Sequence, residues 1–183
     1  VRLIDGRNEA EKSDKFKEAI QNPKCGWFYR ASANDFEKIP GSPIAYWATP
    51  AIFTTFKEFS SLKDIAEIKH GLTTGNNDEV MRAWHEVNNS KIGLNFSNYE
   101  TALNSGLKWF PYNKGGSYRK WFGNAEFVLH YNRDGISKME TFSGHRHDGK
   151  SHYFKSGVTW TLLSSSYFGS RYTPDGFIFD VNG

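Results

Sequence analysis

Residues 108–124 read KWFPYNKGGSYRKWFGN and concentrate the side chains best suited to contact with a polyanion. Lys108, Lys114, Arg119 and Lys120 stand there without a neighbouring acid, and no Asp or Glu occurs between Glu100 and Glu126. Trp109, Phe110, Tyr112, Tyr118, Trp121 and Phe122 are interleaved with them. Cations attract phosphates while flat rings offer faces to bases, so the combination suits nucleic acid. Asn113 adds an amide that can donate and accept, and Gly115-Gly116 permits a sharp turn or a close backbone approach. The same residues also fit a β-hairpin with an aromatic core and a solvated basic turn.

Three other segments offer chemistry. The loop GLTTGNND (residues 71–78) presents Thr73, Thr74, Asn76 and Asn77, whose groups could meet a phosphate or a base edge; ordinary turn chemistry uses the same residues. Arg171 follows SSSYFGS. With Ser164, Ser165 and Ser166 it could clamp a phosphate, or it could read a guanine edge, or it could stand as an exposed surface arginine. The run HRHDGKSH holds His145, His147, Asp148 and His152. These are metal-ligand types, but their spacing fits no specific motif, and a polar surface loop is the favoured reading. Asp175 and Asp180 raise a nuclease carboxylate pair, yet the position two beyond the second acid is Asn182 where a lysine is needed. Phosphate-loop and dinucleotide fingerprints do not occur. The single Cys25 allows no internal disulfide and no thiolate zinc site, which fits a reduced, cytoplasmic setting.

These candidates need a scaffold, and 183 residues with 38% hydrophobic and 16% aromatic content supply one domain, or one domain plus an appendage. No apolar run is long enough for a membrane helix, and no signal-peptide pattern opens the chain. Charge is unevenly placed. Up to Glu67 there are 10 basic and 10 acidic residues; beyond it 13 and 10 give the whole net charge of +3, and all six histidines lie there. Ligand contact is therefore expected in the later part.

The VRLID opening reads as a connection arriving from elsewhere. Residues 9–21 place Phe16, Ala19 and Ile20 at helical spacing before Pro23, and residues 27–29 suit a short strand. Ser42-Pro43 and Thr49-Pro50 each put a cap residue before a proline, which predicts two helix starts and an end near Ser60-Ser61. Strands are expected at residues 65–71, 80–87, 107–112, 126–131, 158–163 and 176–181. A helix is expected over residues 97–105, with Ser97 and Glu100 as a capping box, and another over 136–142 after an Asp134-Gly135 turn. The sum is an α+β chain: a helical connector, then a mostly antiparallel, irregular β-sheet domain with short helices.

Taken in order, KIPGSPIAYW (38–47), GLTTGNND, the 108–124 block, YFKSGVTW (153–160) and SSSYFGSRYTPDGFIFD (164–180) resemble the PglX-like adenine-specific DNA methyltransferases of BREX phage-defence systems. They are similar too to the recognition part of fused restriction–modification methylases. The resemblance spans nearly the whole chain. It implies a parent protein that transfers a methyl group from S-adenosylmethionine to an adenine amine. The family's Asn-Pro-Pro-aromatic tetrad does not occur, because Asn22-Pro23 is followed by Lys24 and Cys25. The resemblance therefore implies a non-catalytic piece without cofactor of its own: residues 1–59 as connector from the methylase, residues 60–183 as a DNA target-recognition domain, cut at both ends. Double-stranded DNA, the rest of the methyltransferase and other defence-system proteins are the implied partners. Thr73, Thr74, Asn76, Asn77, Lys108, Asn113, Lys114, Arg119, Lys120 and Arg171 are the expected DNA contacts. The alternatives are an aromatic-rich β module binding carbohydrate or a protein partner, and a metal-dependent hydrolase built on the three histidines.

Overall fold

A computed structural model describes residue 1 and residues 6–162 and 167–181. The chain divides into two compact units, residues 1–68 and 69–183. Among the described residues the first unit holds helices and no strand. Asn8 caps α1 (Glu9–Gln21) by accepting from the Glu11 N–H at 2.9 Å. Residues 27–29 are a turn and loop rather than the expected strand, since the Trp27 indole N–H donates to the Lys15 carbonyl at 3.0 Å and the Lys15 ammonium lies over its ring. A reciprocal Ser32–Asp35 cap starts α2 (Ala33–Phe36). Only one of the two proline starts makes a helix. Thr49-Pro50 opens α3 (Pro50–Glu58), whereas Gly41 and Ser42 adopt φ of 83° and 46° and turn the chain instead. The Ser61 N–H bonds Asp64 at the start of α4 (Leu62–Ile65), so part of the strand expected at 65–71 is helical.

The second unit carries the sheets. After α5 (Asn77–Val80) come β1 (Met81–Ala83), α6 (Tyr99–Asn104), β2 (Trp109–Asn113), β3 (Phe127–His130), α7 (Arg133–Glu140), β4 (Gly157–Trp160), β5 (Ser170–Thr173) and β6 (Ile178–Phe179). One sheet has the order β1-β3-β2-β6, antiparallel except where β6 joins β2. β4 and β5 form a second, antiparallel pair. The α+β class and the mostly antiparallel sheet expected from the sequence are both present.

Phe110, Tyr112, Leu129, Tyr131, Phe154 and Ile178 lead the core, with rings meeting edge to face, as in Phe110–Phe154 at 5.5 Å. β2 sits between β3 and β6, and four of its five residues are buried. Leu72 bridges to Asp180 beside β6, where a Cβ on Gly71 would fall 2.3 Å from the Asp180 backbone; only glycine lets the two chains pass so closely.

Local side chains shifted several boundaries. The expected 80–87 strand shortens to β1 because the Glu86 carboxylate folds back onto the Ala83 N–H at 2.7 Å and makes a tight helical turn. Asn98, not Ser97, caps α6 by accepting from the Thr101 N–H at 2.9 Å. Asp134-Gly135 lies inside α7, capped by Asn132, and a Cβ on Gly135 would stand 2.1 Å from the His130 carbonyl oxygen. The expected strands at 158–163 and 176–181 are present as the shorter β4 and β6; Leu163 and Ser164 to Ser166 lie outside the described residues.

Candidate nucleic-acid interface

The basic-aromatic block divides into two environments. Its first part becomes β2, so Phe110 and Tyr112 are fully buried and belong to the core. Asn113 is buried as well: its amide donates to Thr173 Oγ1 at 2.9 Å and Thr159 Oγ1 at 3.4 Å, tying β2 to the β4–β5 pair. Lys114 forms an ion pair with Asp180 at 2.6 Å, and the Tyr112 hydroxyl donates to the same carboxylate oxygen. The Asp180 side chain is 1% exposed. Burial, and then the adjacent Asp180 charge, push the Tyr112 phenol far above its usual range, so it stays a donor. Thus Asn113 and Lys114, both expected at a ligand, are engaged inside the protein.

The second part projects as a loop between β2 and β3. Tyr118, Arg119, Lys120, Trp121 and Phe122 are all exposed, Trp121 at 70% and Phe122 at 62%. Neither Arg119 nor Lys120 has an ion-pair partner among the described residues. The Lys120 ammonium lies 5.4 Å from the Trp121 ring centre and 5.9 Å from that of Tyr118, close enough for cation–π attraction. The loop is fixed from below. The Tyr172 N–H donates to the Trp121 carbonyl at 2.8 Å, and the buried Asn124 amide donates to the Ser117 carbonyl at 3.1 Å. Gly169 lies under it, where a Cβ would meet the Tyr118 ring at 3.0 Å and the Arg119 carbonyl at 3.2 Å. Lys108 is exposed at the opposite end of β2, about 17 Å of strand away at 3.4 Å per residue.

Arg171 is 1% exposed, which overturns the surface-arginine reading. It faces inward opposite Thr159 in the β4–β5 register and donates from Nη1 to Thr161 Oγ1 at 2.9 Å. Its Nε and Nη2 have no hydrogen-bond partner among the described residues, and burial lowers its pKa. The other face of the pair carries Val158 and Tyr172, 62% and 56% exposed. These two extend the exposed apolar surface beside Trp121. The sequence reading missed them, although their alternation with buried Thr159 and Arg171 is the two-residue signal of a half-exposed strand.

In the 71–78 loop the Thr74 hydroxyl is buried and donates to Asn77 Oδ1 at 2.6 Å. Thr73 exchanges both backbone hydrogen bonds with Arg146 at 3.0 Å, and its carbonyl also accepts from His145 Nδ1 at 2.9 Å. Asn76, just before α5, is the exposed amide of the four expected residues.

Two of the three histidines of the 145–152 run pack against neighbouring rings. His145 and His147 are half-buried with ring centres 5.6 Å apart, and His147 Nε2 bonds the Tyr131 hydroxyl. Burial, aided by His145 beside it, lowers the His147 pKa to about 4, so the ring is neutral at pH 7. Arg146, Asp148, Lys150 and Ser151 around them are exposed, so the polar surface loop expected there is present with these two histidines half-buried in it. No group of three or more His, Cys, Asp or Glu among the described residues could hold a metal ion, which removes the arrangement the hydrolase alternative needs. No described helix is long and apolar enough to cross a membrane.

No family model matches the chain. It is 40% identical over 191 residues to the adenine-specific methyltransferase PglX of Lacticaseibacillus casei (strain Zhang), covering 100% of this chain and 16% of that protein. It is 38% identical over 182 residues to the adenine-specific methyltransferase BrxX of Escherichia coli O9:H4 (strain HS), covering 100% of this chain and 14% of that protein. The resemblance to PglX-like methyltransferases therefore extends along the whole chain, which spans only about one seventh of these relatives.

Proposed function

We propose that this chain, similar throughout to a segment of PglX-type adenine-specific methyltransferases, is the DNA-contacting, target-recognition segment of such an enzyme in a BREX-type or restriction–modification defence system. Residues 1–59 connect it to a methylase domain, and residues 60–183 grip the duplex. Methyl transfer from S-adenosylmethionine takes place elsewhere in the parent, and the whole acts in the cytoplasm. Modifying a base inside a duplex requires its extrusion, and surrounding contacts must hold the DNA meanwhile. Cations supply attraction blind to sequence; amides and arginines on projecting segments supply base-edge reading.

One observation carries the reading. The 118–122 loop is held on a rigid base and offers two cations without ion-pair partners between exposed rings. Arg119 and Lys120 are assigned to phosphates, Trp121 and Tyr118 to apolar contact, and Asn76 and Lys108 to flanking contacts. Asn113, Lys114, Thr74 and Arg171 support the scaffold from within. The test is duplex binding by the full-length protein across a salt series. Each phosphate contact steepens the dependence of log affinity on log salt by about 0.9. R119A/K120A is therefore expected to lower the slope by about 1.8. An unchanged slope, or no duplex binding at low salt, would overturn the assignment.

The exposed Val158, Tyr172 and Trp121 favour a second reading, docking of a protein partner on the same surface. Partner capture that ignores salt and is lost in Y172A would select it. A carbohydrate module would bind with the same indifference to salt and survive loss of the cations.

A further inference from the structure

A cleft of about 800 Å³ lies within the 1–68 unit, between α2, the 45–48 turn and α3. That volume falls in the range of about 300–1,000 Å³ typical of ligand clefts. Arg30, Lys38 and Lys57 line it, with Asp35 as the single acid. Lys38 already neutralises Asp35 at 2.5 Å, and Asp35 accepts from the Ser32 N–H as well. Arg30 lies 5.8 Å from the Phe28 ring centre, and neither it nor Lys57 has an ion-pair partner among the described residues, so the cleft keeps two positive charges without a paired carboxylate. Its remaining walls include the half-buried rings of Tyr46 and Phe53, and the Lys38 ammonium lies 5.8 Å from the Phe53 ring centre. The unit as a whole is electrically balanced, so this local excess is a matter of placement rather than composition.

We propose that this cleft holds a stretch of DNA backbone, making the helical unit a second phosphate-contacting site rather than a passive connector. The proposal rests on the duplex-binding reading above. Two cations lining one cleft suit contact with backbone phosphates, and the Tyr46 and Phe53 rings in the same lining give the sugar an apolar wall. An acidic peptide would satisfy the charges too, but a polyanion already assigned to the same chain is the occupant that the charge and the rings fit together.

The experiment uses the full-length protein and a mixed-sequence DNA duplex, since phosphate contact does not depend on base sequence. Affinity is measured from 50 to 200 mM salt for wild type, R30A/K57A, the charge-preserving R30K/K57R, and R119A/K120A. Two lost phosphate contacts lower the salt slope by about 1.8, so R30A/K57A should lose about twelvefold less affinity than wild type over that interval. R30K/K57R should keep the wild-type slope. If R30A/K57A keeps it while R119A/K120A lowers it, the cleft is rejected and the loop assignment stands. If R30A/K57A and R30K/K57R melt early and bind alike, the cations are structural and the cleft is likewise rejected. If no variant or wild type binds duplex at low salt, the duplex reading falls and takes the cleft with it.

Discussion

Residues 108–114 and 118–122 are built from the same side-chain types, yet the protein uses them in opposite ways. In the first stretch Phe110 and Tyr112 are core and the terminal Lys114 is spent on Asp180; in the second the rings stand in solvent and the cations have no ion-pair partner among the described residues. The difference arises from position in the sheet. β2 lies in the middle of the sheet with four of its five residues buried, and the lysine that follows it pairs with the buried Asp180 carboxylate. A loop leaving that strand has no such neighbours. A cation–aromatic run keeps its rings exposed and its charges unpaired here only where it departs from the sheet.

The contrast can be broken most sharply at Asp180. Asp180→Ala leaves the Lys114 charge and the Tyr112 hydroxyl without their shared acceptor. It should destabilise the protein by about 3–5 kcal/mol in chemical denaturation, the usual cost of breaking a buried pair from one side. A loss below 1 kcal/mol would mean that Lys114 is as free as Lys120. Trp121→Ala should do the reverse, leaving the denaturation midpoint in place while weakening duplex binding by about 1 kcal/mol, the scale of an exposed ring that matters at an interface.

The pH response should separate the two stretches as well. His147 bonds Tyr131, whose N–H donates to the Lys108 carbonyl at the start of β2. Its folded pKa of about 4 lies below the ordinary 6.5, so the unfolded chain binds the proton more readily between those values. Its contribution to stability is complete above pH 6.5 and is lost as pH falls toward 4. The slope is at most about 1.4 kcal/mol per pH unit and is reduced by partial exposure. Subtracting the pH profile of His147→Gln from that of wild type isolates it; identical profiles would place the ring in solvent. Smallest of all, R119A/K120A should change stability by no more than about 0.5 kcal/mol. A larger loss in thermal denaturation would show that the loop cations hold the fold together.

Much of the scaffold was legible in the chain. The apolar runs at 107–112 and 126–131 announced the two central strands, and Thr49-Pro50 announced α3, because burial and proline geometry act within a few residues. The misreadings have local causes that residue types do not rank: Ser97 and Asn98 are both good caps and only the folded chain selects Asn98, while Glu86 ends β1 early by bonding the Ala83 N–H. At the candidate site the loop Tyr118, Arg119, Lys120, Trp121 and Phe122 was visible as composition. The engagement of Asn113, Lys114 and Arg171 was not, since Asp180, Thr173 and Thr161 approach them from segments read independently.

The sequence by itself determined the α+β class, the acid-free basic block and the likeness to one methyltransferase family, since these depend on residue order and local preference. Tertiary structure alone decided which cations remain available to a ligand. A lysine's charge is a property of the residue, but its freedom depends on whether the fold brings a buried carboxylate within reach, and the one that does so for Lys114 lies 66 positions further along the chain.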